Sequence, residues 1–548
     1  MENQTVTSPL SPVLSTSAAK LSSLHHLLQT SDIYWLLSIA VPLVLSAYVV
    51  FNPRQSNRRD SPRPYFEQWS IWVPRVIHNG IYAFQASRIL EHGYARLKHK
   101  AYQLLRNDGN IIILPHSLLE QLSSLPNTIA SPNSALERDL LGPHTGLNLI
   151  LESRLHHSIV QRKLTPRLPS LTIRLEEELH VAVEDYFPTC KEQEAGRWNK
   201  FQPYQVFGKI SARLAARALV GPRLCRNETW LDISVNYTES LFRTIVILRI
   251  FPKWTHTTLR YFLPSYWNGK HYVRAAKRLL SPIIQELLDK NDRGEWAPAN
   301  DDAESNVLCW LADTAKGRDR DADTLAHVEL LLALASVHTT LLRMVNVLYD
   351  ITAEPKYTEE IRNEIQQTFD AEYGNWSHGT YARLEKLDSV MRESQRMSPP
   401  TILGLKRLFN ESFTFEDGTH VPRGAYVAMP IQAIENDPNV TANPVIFDGL
   451  RNYRLRQASV DSKKREAYLF SSPEPNVLSF GYGKSACPGR FFASLVVKMV
   501  FVKLLSEYDF RFKEGDGRPQ NLLVHEFLFC WPWQWMEVRK REIGMCPF

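Results

Sequence analysis

The chain has 548 residues, 44% hydrophobic and 22% charged, with a formal net charge of +6. That composition belongs to a globular protein with a large core and excludes a disordered or collagen-like chain; with no compact basic block in its body, nucleic-acid binding has no support either. The six cysteines, Cys190, Cys225, Cys309, Cys487, Cys530 and Cys546, form no CxxC pair and no compact framework, which suits reduced thiols in a cytosolic setting.

Residues 1–31 are rich in Ser and Thr. The segment 33–51, IYWLLSIAVPLVLSAYVVF, is uncharged and close to the ~20 residues needed to cross a bilayer core. A cleavable signal peptide is the alternative, disfavoured by the late start of the apolar run and its lack of a basic lead-in. Arg54, Arg58, Arg59 and Arg63 follow, against Lys20 alone before it. The positive-inside rule then expects a lumenal segment at 1–31, one transmembrane anchor at 32–52, a basic Pro-containing linker at 53–63, and a cytosolic body.

Residues 64–548 show no repeat, low-complexity tract or second break, and read as one domain. Apolar residues three and four apart predict helices in AFQASRILEHGYARLKHKAY (83–102), SLTIRLEEELHVAVEDYF, RAAKRLLSPIIQELLDK, the 322–350 stretch and SLVVKMVFVKLLSEY. Strand-like pieces are few: NIIILP near 110, FTFEDGTHVPRGAYVAMP at 413–430, and the last residues. Glu416–Gly424 is expected to be a turn between two strands, punctuated by Gly418 and Pro422. The aromatic-rich stretch Phe251–Trp267 reads as core and loop packing, or alternatively as a substrate roof or a surface dipping into a membrane. The expected class is mainly α with a small β portion.

Two short stretches carry polar chemistry. LLLALASVHTTLL, Leu330–Leu342, places Ser336, His338, Thr339 and Thr340 in an apolar helix; taken alone, hydrogen bonds within the helix explain them. FGYGKSACPGRFFA, Phe480–Ala493, sets Cys487 after a loop with Gly481 and Gly483 and before a helix starting near Arg490. Such a site aims backbone N–H groups at the thiol and stabilises the thiolate, the form that binds metal. Gly489 leaves room where a flat cofactor would approach. A buried structural cysteine is the alternative.

The whole pattern Phe-x-x-Gly-x-x-x-Cys-x-Gly, from Phe480 through Gly483 and Cys487 to Gly489, resembles that of the cytochromes P450. The resemblance implies the P450 fold, heme b, and Cys487 as the axial thiolate on iron, with Phe480, Gly481 and Gly489 around it. It also implies that Glu393 and Arg396, in LDSVMRESQRMSPP, form the family's Glu-x-x-Arg pair and lock to Arg451 in FDGLR as structural support for the cysteine loop. Glu194–Arg197 and Glu359–Arg362 share that spacing but not the position upstream of the loop. Arg407 stands where members place a haem-propionate arginine. Two departures are Ser485, where His or Arg is common, and a missing Trp-x-x-x-Arg, for which Arg162 is a candidate source of charge.

Aligned on its threonines, the Leu330–Leu342 stretch becomes Ala335-Ser336-Val337-His338-Thr339-Thr340, similar to the family's oxygen-binding segment. Thr339 is then the candidate for steadying an oxygen intermediate. His338 occupies the acid position and either joins proton delivery or faces a neighbouring helix. The His-Thr-Thr variant resembles fungal members near ent-kaurene oxidases and indole-diterpenoid oxygenases. The resemblance implies a monooxygenase at the endoplasmic reticulum membrane, oxidising a lipophilic small molecule, a terpenoid of secondary metabolism. Its electrons are expected from NADPH-cytochrome P450 reductase, since the chain has no flavin or nicotinamide fingerprint. A haem-thiolate isomerase or dehydratase, and a non-catalytic haem or lipid binder, are the alternatives.

Overall fold

The computed structural model describes residues 75–104, 106, 109–187, 197–295, 305–542 and 544–548. The expected anchor at 32–52, its flanking segments, Cys190 and Glu194 lie outside the described residues.

The chain opens with helix α1 (Arg75–Leu97) and strands β1 (Tyr102–Leu104), β2 (Ile111–Ile113) and β3 (Ala130–Ser131). A largely helical run follows: α2 (Leu168–Tyr186), β4 (Asn199–Phe201), α3 (Pro203–Leu219), α4 (Glu228–Ile250), α5 (Pro264–Asp292), α6 (Ala322–Ala353), α7 (Pro355–Ala371) and α8 (Glu385–Met397). Then come β5 (Gly404–Phe409), β6 (Phe413–Thr414), β7 (His420–Val421) and β8 (Tyr426–Met429), followed by α9 (Arg451–Ala458) and α10 (Arg490–Glu507). Strands β9 (Tyr508–Phe512), β10 (Leu522–Val524), β11 (Phe527–Phe529) and β12 (Met536–Lys540) close the chain.

The largest sheet has the order β1-β2-β8-β5-β3, with only β2 and β8 parallel. A second joins β4, β12 and β9, and β6–β7 and β10–β11 are hairpins. These short strands carry little alternation of their own, and for β2, β3 and β4 the pairing partners β8, β5 and β12 lie hundreds of residues away.

Helix α6 is the axis of the molecule. Asp321 caps it, its carboxylate accepting the Thr324 N–H at 2.8 Å. Its apolar residues run around nearly the whole circumference, so it is stable only when surrounded. Helices α3, α4, α5, α8 and α10 pack against it. Its length and composition would suffice to cross a membrane, but it is mostly buried inside the protein.

Three expectations change in detail. The helix expected over 83–102 ends at Leu97, and Tyr102 already pairs with Ile113. The single turn expected at 416–424 is two: the β6–β7 tip, where Gly418 takes φ +82°, and a second reversal at Pro422–Ala425, where Gly424 takes φ +80°. The Phe251–Trp267 stretch becomes a short helix, Lys253–Leu259, a tight turn at Arg260–Phe262 and the start of α5. Asn227, of a glycosylation-type triplet, caps α4 by accepting the Trp230 N–H at 3.0 Å.

Candidate functional site: a cysteine loop and the central helix

The loop ahead of α10 is wound by glycines. Gly481 and Gly483 take φ +77° and +57°, a left-handed backbone that side chains disfavour. A Cβ on Gly481 would also stand 2.8 Å from the Ser485 carbonyl oxygen. The winding lets the Cys487 N–H donate to the Phe480 carbonyl at 2.7 Å, while Phe480 packs edge-on against Phe470 with centroids 5.2 Å apart. Arg490 returns its guanidinium to the Cys487 carbonyl at 2.8 Å.

Burial pushes the Cys487 thiol up, and the backbone N–H groups of Gly489 and Arg490 and the Arg490 charge oppose that rise. Elsewhere burial pushes Cys225 to about 11, and Cys530 and Cys546 to about 12, so those thiols stay protonated. Cys487 is partly accessible in its loop, with Gly489 beside it leaving open space: the nearest contact of an added Cβ would be Val160, at 4.0 Å. Val160 opens a π-turn, Val160–Leu164, and Thr165 just beyond it donates to the Pro488 carbonyl at 3.4 Å.

In the middle of α6 the burial is interrupted. Ala335 and Thr339 are exposed and Ser336 partly so, while Leu330–Leu334, Val337 and Thr340 are buried. Residues 335, 336 and 339 share one helical stripe. The Thr339 hydroxyl donates to the Ala335 carbonyl at 2.7 Å, and that carbonyl then has less capacity for the helix ladder. His338 lies off this stripe, 9% exposed, and neither ring nitrogen meets a partner among the described residues. Burial lowers its pKa to about 4, so the imidazole is neutral at pH 7. Glu329, also in α6, is fully buried with both oxygens unpartnered among the described residues, and burial raises its pKa strongly. The sequence reading passed over it, although it is the one acid in an apolar run.

Arg407 comes from β5, where the register with β8 shifts between Gly404 and Arg407 and Leu405 takes φ +49°. An irregularity of this kind re-aims the side chains that follow. The Arg407 guanidinium is 4% exposed and donates to the Ser485 hydroxyl at 3.1 Å and the Lys406 carbonyl at 2.9 Å. It has no carboxylate partner among the described residues, and burial lowers its pKa to about 10. A buried guanidinium without a counter-charge is costly. Beside a glycine-lined thiol, it fits a flat apolar group that carries its own carboxylates. The departure at Ser485 thus supplies a hydrogen-bond partner for Arg407. Arg162 is exposed and does not join this cluster.

Glu393, Arg396 and Arg451 come together. Arg396 makes a bidentate pair with Glu393 at 2.6 and 3.0 Å, and the Arg451 Nε lies 3.3 Å from both Glu393 oxygens. Glu393 also accepts the Asp448 N–H at 3.1 Å, and Arg396 donates to the Pro444 carbonyl at 2.7 Å. The rival pair Glu359–Arg362 is 2.8 Å apart with Glu359 66% exposed, a surface contact.

Helix α8 holds more than this pair. Asp388 accepts the Phe470 N–H at 2.6 Å and pairs with Lys498 of α10 at 2.6 Å. Arg392 donates to the carbonyls of Ala467 and Leu469. Because Phe470 packs on Phe480, α8 holds the cysteine loop through residues 467–470. Sequence reasoning missed Asp388 and Arg392: the helix reads as amphipathic with an ordinary polar face, and only the fold shows that this polar face is buried as well.

Residues 130–529 match the family profile described as Cytochrome P450, and the chain belongs to that family of haem-thiolate oxidoreductases. It is 37% identical over 457 residues to a cytochrome P450 monooxygenase of Emericella nidulans, covering 83% of each chain. It is 32% identical over 516 residues to an ent-kaurene oxidase of Gibberella intermedia, covering 93% of this chain and 94% of that one. A monooxygenase of Penicillium paxilli is 32% identical over 510 residues, covering 91% and 94%. Among solved structures, retinoic acid-bound cyanobacterial CYP120A1 shares the fold, with a TM-score of 0.60 at 17% identity over 84% of this chain and 97% of that one.

Proposed function

We propose that this protein is a membrane-anchored monooxygenase that inserts one oxygen atom from O2 into a C–H bond of a lipophilic terpenoid. The observation that carries the reading is the Cys487 thiol at the start of α10, facing backbone N–H groups and joined through its loop to a buried, uncompensated Arg407. Cys487 would hold haem iron through its thiolate, and the bound group would supply activation of dioxygen. Gly489 leaves the approach open, and Arg407, backed by Ser485, would neutralise the propionates.

On the other side, Ala335 keeps the α6 surface low enough for oxygen and substrate. Thr339 offers a hydroxyl on the open stripe and would hold and pass a proton there. His338, neutral and off the stripe, would support the helix while Thr339 and water carry the proton step. The Glu393–Arg396–Arg451 cluster, with Asp388 and Arg392, would fix the cysteine loop.

Relatives named as ent-kaurene oxidases, and monooxygenases with comparable coverage, support the terpenoid class. Electrons would come from NADPH through a reductase docking on the face that carries the cysteine loop. Residues 32–52 would anchor the protein to the endoplasmic reticulum membrane with its body cytosolic. Cys487→Ser tests the assignment: the variant should keep its fold but lose the thiolate-type carbon monoxide spectrum of the reduced protein. An unchanged spectrum would overturn the ligand assignment, and a rearranged product formed without NADPH or O2 would overturn the monooxygenase reading.

A further inference from the structure

A cavity of about 570 Å³ lies away from the cysteine loop and the Ala335–Thr339 stripe. It is walled by α4, the first turns of α5, the turn at 143–146, and α6 only at His327. Eight residues, or about 12 Å of helix, separate His327 from Ala335. Its volume falls within the ~300–1,000 Å³ range of small-molecule sites.

The lining has a sign. Arg260, Lys270 and Arg274 contribute to it, and no Asp or Glu does. None of the three cations pairs with a carboxylate among the described residues. Arg260 instead donates to the Pro143 carbonyl at 3.2 Å and the Tyr261 hydroxyl at 2.9 Å; Lys270 sits 4.9 Å from the Tyr266 ring centroid; Arg274 donates to the Lys270 carbonyl at 3.2 Å. Their neighbours are rings and carbonyls, so their positive field is uncompensated across the cavity.

The apolar part of the lining is Leu241 of α4 with Val273 and Trp267 of α5; Trp267, 46% exposed, lies beside Lys270, whose Nζ is 5.8 Å from its ring centroid. Tyr237, 1% exposed, also lines the cavity, and its buried hydroxyl has no partner among the described residues. A buried hydroxyl left unbonded is costly, and a ligand oxygen reaching it would recover that cost. His144 and His327 also line the cavity, and burial lowers both to about 4. They add neutral hydrogen-bonding groups.

We propose that this cavity is a second ligand site, independent of the haem reading, which takes an amphiphile with a phosphate or carboxylate head on an apolar chain. The head meets Arg260, Lys270 and Arg274, and the chain lies along Leu241, Val273 and Trp267. Tyr237 donates to an oxygen of the ligand.

The test uses the full-length holoprotein in phosphatidylcholine nanodiscs, titrated with dodecyl phosphate, dodecanol and inorganic phosphate, with empty discs correcting for partitioning. Tryptophan fluorescence and haem absorbance are read together. Dodecyl phosphate should quench fluorescence without moving the haem band, and Trp267→Phe should remove that quenching. Dodecanol should bind at least tenfold more weakly, and inorganic phosphate alone should give no response. Lys270→Gln with Arg274→Gln, both exposed positions on α5, should weaken dodecyl phosphate at least tenfold while leaving the carbon monoxide spectrum intact. Tyr237→Phe should weaken it severalfold.

Discs containing phosphatidic acid identify the source of the head: competition by the bilayer lipid means a lipid headgroup, and its absence means a free amphiphile. Equal affinity for dodecanol, no effect of the double variant, or displacement by an azole that ligates haem would each overturn the proposal. Loss of the Cys487 assignment would leave it standing, because the fluorescence readout does not need the thiolate.

Discussion

Lowering the pH from 7 to 5 should destabilise this protein through His338. Its pKa falls from the ordinary 6.5 to about 4 because the folded protein buries the ring. The preference for the neutral form is worth about 3 kcal/mol. The unfolded chain therefore binds the proton more readily, and stability is full above 6.5, falls as the pH drops through the window, and levels off below 4. At pH 5 the loss relative to pH 7 is about 2 kcal/mol from this residue. His144 and His327 add to the wild-type slope in the same direction, so the comparison must isolate position 338. His338→Leu keeps a side chain of similar bulk and removes two unpartnered ring nitrogens, and should be at least as stable at pH 7. Urea unfolding followed by circular dichroism at pH 7 and pH 5 should show the variant's advantage growing by about 2 kcal/mol. A difference that does not change with pH would refute the reasoning, because it would mean that the ring is partnered or already charged.

Glu393→Gln should leave the buried Arg396 guanidinium without its counter-charge and cost about 3–5 kcal/mol, read as loss of folded, haem-retaining protein; normal yield and melting would contradict the supporting role. Gly481→Ala should strain the cysteine loop by about 1–3 kcal/mol through its φ of +77° and the 2.8 Å approach to Ser485, lowering haem retention while distant helices keep their far-ultraviolet signal. Thr339→Ala removes an exposed hydroxyl bonded only within its own helix, so folding should change by less than about 1 kcal/mol while reducing equivalents are diverted to peroxide; tightly coupled turnover would count against the oxygen-handling role. Deleting residues 1–52 should release the protein from membranes at least partly in a fractionation assay, and complete retention would contradict a sole N-terminal anchor.

The sequence by itself determined the elements whose signals are local. The Phe480–Gly489 pattern, the start of α10 at Arg490 and the long apolar span of α6 could be read because glycine backbone freedom and helical spacing act over a few residues. The Glu393–Arg396 pair was legible as a motif, and its position upstream of the loop separated it from Glu359–Arg362.

Only the tertiary structure decided what depends on distant partners. The short strands β3 and β4 exist through pairing with β5 and β12 across the fold, and Arg407 faces Ser485 only because a register shift in β5 turns it inward. Asp388 and Arg392 hold the cysteine loop because α8 lies beside residues 467–470, a contact that no helical period reveals. The same holds for His338 and Thr339. They are adjacent in sequence, yet packing around α6 buries one and leaves the other open, since burial belongs to neighbouring helices and not to the residue itself.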